Sequence, residues 1–229
     1  MSDLNGILVV DKPSSWTSHD VVQKTKNLLG GPKVGHTGTL DPFATGVLVL
    51  LVGKATKQAK FFENDEKRYH AEITFGYATD TFDSTGRVTS TGDSDAVNRE
   101  GLKSFIHSLE GESEQIPPMY SAVKVGGKKL YQLARTGKEI ERKPRKIVIQ
   151  SIEAHIEDFP KIQLNIHCSK GTYIRAIADQ LGTMAGCPAC LTALRRTSSG
   201  TYTLDDAVAF LPLAEAGDSD GLKEAIIPL

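Results

Sequence analysis

Long apolar runs are missing from this 229-residue sequence, and their absence argues against a helical membrane protein. No run is long enough to cross a bilayer as a helix, so we expect no membrane-spanning segment and no membrane partner. The first residues, Met1–Gly6, also lack the basic region and the apolar stretch of a secretory signal. We therefore expect a cytoplasmic protein.

Cysteine is scarce as well, with three in the whole chain. That is a poor number for a disulfide framework. Cys187 and Cys190 have the CxxC spacing, but a structural zinc site needs four ligands and the sequence has no second such pair. The flanking residues do not offer the thioredoxin-like context of a redox site. We therefore expect no metal, and we interpret the pair as small residues in a tight turn.

The common glycine motifs for nucleotide binding are absent. Gly53-Lys54 is followed by Ala55 and no glycine stands at position 48, so the P-loop pattern fails. The dinucleotide pattern GxGxxG does not occur either. What remains is an ordinary globular composition, 39% hydrophobic and 24% charged, on a chain long enough for a sizeable core.

Charge is distributed unevenly along the chain, although the formal net charge is only −1. Residues 124–146 contain nine basic residues against Glu139 and Glu141, a local balance of +7. From Tyr202 to Leu229 one lysine faces six acidic residues, a balance of −5. A run of like charge is often only a solvated face, but the basic segment also contains Tyr131 and several glycines. It predicts a phosphate-binding surface.

Hydrophobic periodicity predicts an α+β fold around a largely antiparallel sheet, because strands and helices are mixed without strict βαβ alternation. Clean alternation over residues 69–75 is typical of a half-buried strand. Gly182 is expected to end the helix that begins at residue 174. The other predicted strands are residues 7–10, 47–52, 147–156 and 162–168. A further helix is predicted to begin at Thr17 or Ser18. The remaining predicted helices cover residues 55–62, 97–109 and 204–211.

The densest candidate for chemistry is the glycine- and threonine-rich stretch Gly35–Gly46, which contains one carboxylate, Asp41. Glycines allow tight turns and a close approach to a ligand. The competing interpretation is structural, since Asp41 before Pro42 would make a good helix N-cap. On spacing alone the two interpretations are equal. His36 alone would be an ordinary loop histidine.

Two further candidate residues, Tyr69 and Arg175, also have ordinary structural explanations. The sequence alone favours a core or edge aromatic for Tyr69, at the head of its strand. Arg175 lies in the first turn of a helix, where a cation opposes the helix dipole and requires an anionic partner, either a phosphate or a buried carboxylate. An ordinary surface arginine is as good an explanation there. Arg195 and Arg196 could also be ordinary surface residues.

Taken together and in order, these segments resemble the TruB-type tRNA pseudouridine synthases. The resemblance covers roughly residues 4 to 211, and several motifs of this length in one order are highly specific. The segments that carry it are Gly6–Pro13 with Trp16–Ser18, Gly35–Gly46, Lys67–Ala71 with Phe75-Gly76, Pro117–Lys124, Cys168–Arg175 and Leu194–Thr197.

The resemblance implies a pseudouridine synthase fold and an enzyme that isomerises uridine to pseudouridine without cofactor or metal. It makes Asp41 the essential carboxylate, acting as nucleophile or base. Arg175 would pair with Asp41 and keep it ionised, because a nearby opposite charge favours the charged form. Tyr69 would stack on the target uracil and take part in proton removal.

The remaining site residues follow from the same resemblance. Tyr173 and Leu194 would line the uracil pocket, and His36 would support the RNA loop once the target base has left the stack. Lys12 and Pro13 would stabilise the floor of the site. Base flipping costs a few kcal/mol, which stacking and pocket contacts must offset.

The expected organisation is a catalytic domain over residues 1–211, with the basic insertion at 124–146, followed by a short acidic segment at 212–229. Many family members continue into a further RNA-binding domain; we expect this chain to lack it and therefore to depend more heavily on the insertion. The expected partner is the T arm of tRNA, at position 55, with the protein a monomer. The alternatives are another RNA target, or a non-catalytic tRNA-binding or folding protein.

Overall fold

The structure is a computed structural model that describes residues 4–62, 64–134 and 136–228. Arg135 of the basic insertion, the first three residues of the chain and the terminal Leu229 lie outside the described residues. The chain forms two compact units. Unit 1 contains the residues up to His70 and those from Leu194 onward, and unit 2 is Ala71–Ala193.

Strands outnumber helices, and the boundaries of both are as follows. The strands are β1 (Gly6–Lys12), β2 (Val34–His36), β3 (Thr45–Val52), β4 (Lys67–Phe75), β5 (Tyr77–Thr79), β6 (Val88–Thr91), β7 (Gly111–Gln115), β8 (Lys124–Val125), β9 (Lys128–Lys129), β10 (Arg145–His155), β11 (Lys161–Cys168), β12 (Ala189–Ser199), β13 (Tyr202–Thr203) and β14 (Val208–Ala209). The α-helices are α1 (Ser18–Leu28), α2 (Arg99–His107), α3 (Leu130–Ala134), α4 (Ile174–Ala185), α5 (Phe210–Ala216) and α6 (Ser219–Glu224), with a ten-residue 3₁₀ helix at Gly53–Phe62.

Unit 1 is built on the buried strands β1 and β3, which pair antiparallel along their whole length. Strand β14 adds to β1 in parallel, β2 adds antiparallel to β3, and the end of β12 runs parallel to β3. Alternate residues of β1 and β3 form one apolar cluster with Ala55 of the 3₁₀ helix. Helix α1 begins at a capping box in which Thr17 and Asp20 each satisfy the other's backbone N–H. It starts where the sequence predicts.

In unit 2, β11, β10 and β7 pair antiparallel in that order with β7 at the edge, and β4 lies beside β11. Helices α2 and α4 pack against each other, and both bury leucine and isoleucine side chains. The alternation predicted for residues 69–75 is present, since Ala71, Ile73 and Phe75 are all buried. Strand β7 escaped prediction because Gly111–Gln115 is almost entirely polar and exposed.

Two predicted helix boundaries are wrong. Gly182 lies inside α4, where a Cβ would stand 2.6 Å from the backbone nitrogen of Ala189, so glycine serves close packing there. The helix ends instead at Gly186, whose φ of 68° is the left-handed conformation typical of a helix C-terminus. The predicted helix over 204–211 is a 3₁₀ turn at Leu204–Asp206 followed by β14, and α5 begins only at Phe210.

The tight turn predicted for the CxxC pair is also not what the structure has. Cys187 and Cys190 are buried, and Cys190 lies within β12, a long strand that the sequence did not predict. Residues 189–199 are hard to recognise as a strand from the sequence because their apolar residues are interrupted by threonine and by two arginines. The basic insertion contains the short hairpin β8–β9 and helix α3, with most of its described cations exposed.

Candidate active site

Asp41 lies in a turn between β2 and β3, in unit 1. The backbone nitrogen of Ala44 donates to the carbonyl of Asp41 at 3.1 Å, but no helix follows. The helix-cap interpretation of Asp41 before Pro42 is therefore wrong. Asp41 is half-buried, at the point where a glycine- and threonine-rich loop returns to the buried strand β3.

Lys12 anchors this turn from the end of β1. It is fully buried, and its ammonium group donates to the carbonyls of Pro13 at 2.8 Å, Trp16 at 2.6 Å and Pro42 at 3.1 Å. The three donors of an ammonium group are thus matched by three acceptors. Burial lowers the pKa of Lys12 to about 8, against the opposing effect of the Asp41 charge. Lys12, which the resemblance places in the floor of the site, is therefore hydrogen-bonded to Pro42, the residue that follows Asp41.

Two serines also hold this turn through hydrogen bonds to its backbone. Ser18, buried at the start of α1, donates to the carbonyl of Leu40 at 3.2 Å and accepts from its backbone nitrogen at 2.8 Å. Ser14 donates to the carbonyl of Phe43 at 3.2 Å. Since Leu40 and Pro42 are both held, the backbone is fixed on either side of Asp41.

The two arginines of β12 differ sharply. Arg195 is partly exposed and forms a two-pronged ion pair with Asp11, at 2.7 and 3.1 Å. Arg196 is 1% exposed, and its guanidinium donates to the carbonyls of Val47 at 2.7 Å and Gly38 at 3.1 Å. The surface interpretation of Arg196 is wrong, and nothing in its residue type distinguished it from its neighbour in the sequence.

The other predicted residues of unit 1 lie on strands. His36 ends β2, opposite Leu50 of β3, and is half-buried. Tyr69 lies on β4 and is half-buried, while Leu194 on β12 is 7% exposed. Tyr69 shares the face of β4 that carries the buried Ala71, Ile73 and Phe75, so the core-or-edge alternative remains beside the functional one. The roles predicted for these three residues stay predictions.

Arg175 and Tyr173 lie in unit 2, at the start of α4. Arg175 is 3% exposed and donates to the carbonyls of Thr81 at 3.0 Å and Tyr120 at 2.8 Å. Its guanidinium also forms an ion pair with Asp83 at 3.4 Å. The surface-arginine alternative is therefore wrong, and of the two kinds of anionic partner left open by the sequence, a buried carboxylate is present. The pairing of Arg175 with Asp41 stays a prediction.

Asp83 is the site residue that the sequence interpretation missed. It is 3% exposed and accepts hydrogen bonds from the hydroxyls of Thr81 and Thr85 and from the backbone nitrogen of Thr85. The preceding residue, Phe82, has a φ of 65°, which is unusual for a bulky side chain and marks a constrained turn. The signal available in the sequence was a carboxylate between two threonines in a stretch that appeared to be only polar and turn-rich.

Tyr173 is the N-cap of α4, without a side-chain cap. Its backbone is held instead by Gln115 of β7, which accepts from the nitrogen at 2.7 Å and donates to the carbonyl at 3.1 Å. This reciprocal pair fixes where α4 begins, and with it the first-turn position of Arg175. Within the described ranges, no group of histidine, cysteine and carboxylate side chains could hold a metal ion.

Comparison with known proteins places this geometry in a family. The N-terminal domain model of the TruB pseudouridylate synthases matches residues 26–174, which include the Asp41 loop, Tyr69 and the start of α4. The chain belongs to the TruB family of pseudouridylate synthases. The resemblance inferred from the motifs is thereby confirmed.

Three similar relatives carry the name tRNA pseudouridine synthase B. The protein of Syntrophotalea carbinolica is 46% identical over 205 residues, covering 90% of this chain and 67% of the relative. Those of Geobacter sulfurreducens and Bacillus subtilis are 42% and 43% identical, covering 98% and 99% of this chain and 74% and 75% of the relatives.

Solved structures confirm the predicted fold. A chain of a Cbf5–Nop10–Gar1 complex matches with a TM-score of 0.74 at 27% identity, over 99% of this chain and 60% of that one. A chain of an H/ACA RNP bound to a substrate RNA containing 2′-deoxyuridine matches with a TM-score of 0.71 at 25% identity, over 97% and 59%. This TruB-family chain therefore spans about 60% of the length of the chains that it matches among solved structures. Across the described residues, no helix is both long and apolar enough to cross a membrane.

Proposed function

We propose that this chain isomerises uridine to pseudouridine in tRNA, at position 55 of the T loop, with Asp41 as the essential carboxylate. Family membership supports the reaction, and the name shared by relatives at 42–46% identity supports tRNA as the substrate. The observation that carries the assignment of Asp41 is the loop around it. Lys12 and Ser18 hold its two neighbours, which is the fixed geometry that a catalytic group needs.

In this proposal Asp41 acts as nucleophile or base while the uracil detaches, and no cofactor takes part. A cation near a carboxylate favours its charged form. Lys12 supplies one such cation within unit 1, since its own pKa responds to Asp41. Arg175 is proposed as the second, with Tyr69 stacking on the flipped base.

RNA recognition is assigned to two regions. Tyr173 and Leu194 line the uracil pocket and His36 supports the opened loop. The basic insertion binds the phosphates of the T arm, and its exposed described cations support this assignment. We place the enzyme in the cytoplasm, where tRNA is processed, as a monomer made of a catalytic domain at 1–211 and an acidic segment at 212–229.

The test is to incubate the protein with an unmodified tRNA transcript and to map pseudouridine chemically. The expected product is a single pseudouridine at position 55, and a transcript with cytidine at that position should give none. Pseudouridine at another position would support a different RNA site. No product from a protein that still binds the transcript would support the non-catalytic, tRNA-folding alternative and contradict the proposal.

A further inference from the structure

Arg196 is a buried cation that the roles described so far do not use. At 1% exposure its guanidinium is removed from water, which is costly for a charge unless it is well hydrogen-bonded. Its Nε donates to the carbonyl of Val47 at 2.7 Å and its terminal nitrogen to the carbonyl of Gly38 at 3.1 Å. A buried arginine bonded to two backbone carbonyls fixes the positions of those carbonyls.

The two carbonyls lie on opposite sides of Asp41 along the chain. Gly38 precedes it by three residues, and Val47 follows it by six, inside β3. One rigid, planar group therefore joins the start of the loop to the strand into which the loop returns. Arginine presents its donors in a rigid planar fork, whereas lysine carries its donors on one nitrogen at the end of a flexible stem and sets no fixed separation between two carbonyls.

The backbone of Arg196 is also in close contact with the loop. Arg196 pairs with Gly46 in the parallel ladder between β12 and β3. Gly46 has a φ of 102°, and a Cβ there would stand 2.8 Å from the backbone nitrogen of Arg196 and would collide with its carbonyl oxygen. At the other end, a Cβ on Gly38 would lie 3.5 Å from the Arg196 guanidinium. Glycine at position 46 allows the backbone of Arg196 to lie directly against the loop, whereas the distance at Gly38 is ordinary van der Waals contact.

We propose that Arg196 is a positioning residue for the carboxylate loop, holding Gly38 and Val47 at a fixed separation so that Asp41 keeps its reactive geometry. This inference rests on the proposed function of Asp41. Arg196 is buried and touches the loop rather than the RNA, so its loss should change the rate of the chemical step and leave tRNA affinity in place. A displacement of about 1 Å at a reacting group can cost on the order of 100-fold in rate.

The experiment compares Arg196→Met with Arg195→Met, its neighbour on the same strand, which is partly exposed and pairs with Asp11. Single-turnover pseudouridine formation is measured at saturating tRNA, together with the dissociation constant for tRNA. Arg196→Met should lower the single-turnover rate on the order of 100-fold with the dissociation constant within about twofold. Arg195→Met should keep the rate within a few-fold of wild type.

A wild-type rate for Arg196→Met would overturn the proposal, and so would a loss confined to tRNA affinity. If Arg196→Met does not fold, Arg196→Lys decides, because it keeps the charge and most of the side chain but not the fork. It should be at least about 10-fold slower with unchanged affinity, and a wild-type rate would refute the need for two carbonyl contacts.

Hydrogen exchange separates this inference from the proposed function. In the folded Arg196 variant, the amides of residues 38–44 should exchange faster than in wild type, whereas those of α1 should not. This readout does not depend on activity. If wild-type protein made no pseudouridine, the proposed function would fail while exchange still tested the loop. Unchanged exchange in the loop would contradict the positioning role itself.

Discussion

The buried ion pair between Arg175 and Asp83 makes a quantitative prediction about stability. Both residues are 3% exposed, and a guanidinium nitrogen of Arg175 lies 3.4 Å from a carboxylate oxygen of Asp83. Asp83→Asn keeps the shape and an acceptor for the backbone nitrogen of Thr85 but removes the charge. Breaking a buried pair in this way typically costs about 3–5 kcal/mol, because the guanidinium loses a buried counter-charge. For a chain of this size, that corresponds to a fall of about 6–20 °C in Tm.

The assay is urea or thermal unfolding of the wild type, Asp83→Asn, Arg175→Met and the double variant. The double variant should lose less stability than the sum of the two single losses, because removing both partners leaves no isolated charge. Asp80→Asn is the matched control. Asp80 is exposed in the same turn and accepts one backbone hydrogen bond, from Arg87, so a loss within about 1 kcal/mol is expected.

Two outcomes would refute this reasoning. A loss for Asp83→Asn no larger than that of Asp80→Asn would mean that the Arg175 charge is solvated or compensated elsewhere. Strict additivity in the double variant would mean that the two side chains do not interact. Pseudouridine formation measured on the same proteins should fall for Asp83→Asn, because the guanidinium would lose a charged contact that positions it beside the Thr81 and Tyr120 carbonyls.

Three further predictions concern other parts of the molecule. Burial lowers the pKa of Lys12 from 10.5 to about 8, so the folded chain releases this proton at a lower pH than the unfolded chain does. Relative to Lys12→Met, the free energy of unfolding of wild type should therefore increase by up to about 3 kcal/mol as pH rises from about 8 to 10.5. A difference in unfolding free energy that stays constant over this range would contradict the prediction. Gly182→Ala should destabilise the protein by about 1–3 kcal/mol in urea unfolding, because the new Cβ meets the nitrogen of Ala189 at 2.6 Å, and an unchanged midpoint would count against that contact. Lys138→Glu in the basic insertion should weaken tRNA binding and reduce the slope of log K against log salt by about 1, whereas Lys223→Glu in the acidic segment should leave the slope unchanged. Equal slopes for the two variants would contradict a role of the insertion in RNA binding.

Local signals in the sequence were sufficient for the elements that dominate the core. The apolar runs of β1 and β3 and the alternation of β4 are periodic patterns that packing then preserves. The start of α1 was readable because Thr17 caps it through local hydrogen bonds. These features depend on neighbours in the chain, which is why composition and spacing predicted them.

The errors have a common physical cause in contacts made outside the element itself. Gly182 resembles a helix terminator in the sequence, but glycine is needed there because the backbone of Ala189, at the start of the following strand, packs against it. Residues 208 and 209 follow a helical pattern, yet β1 recruits them as a parallel strand. No local pattern encodes either contact.

The candidate site likewise contains residues that local sequence patterns identify and residues that only the fold reveals. Asp41 stood out because glycines and threonines cluster around it, and Arg175 because a cation at a helix start requires a partner. Asp83 and Arg196 did not stand out, since only the fold makes one a buried counter-charge and the other a buried loop contact. The family resemblance identified the loop, and the structure adds what holds it.

The central claim is that Asp41 performs the chemistry, and one measurement tests it most directly. Single-turnover pseudouridine formation is compared between wild type and Asp41→Asn on the same unmodified tRNA transcript, with binding of the transcript measured in parallel. We predict no detectable product from Asp41→Asn while tRNA affinity is retained, because an amide has the shape of the carboxylate but cannot serve as nucleophile or base. Product at the wild-type rate from Asp41→Asn would contradict the account.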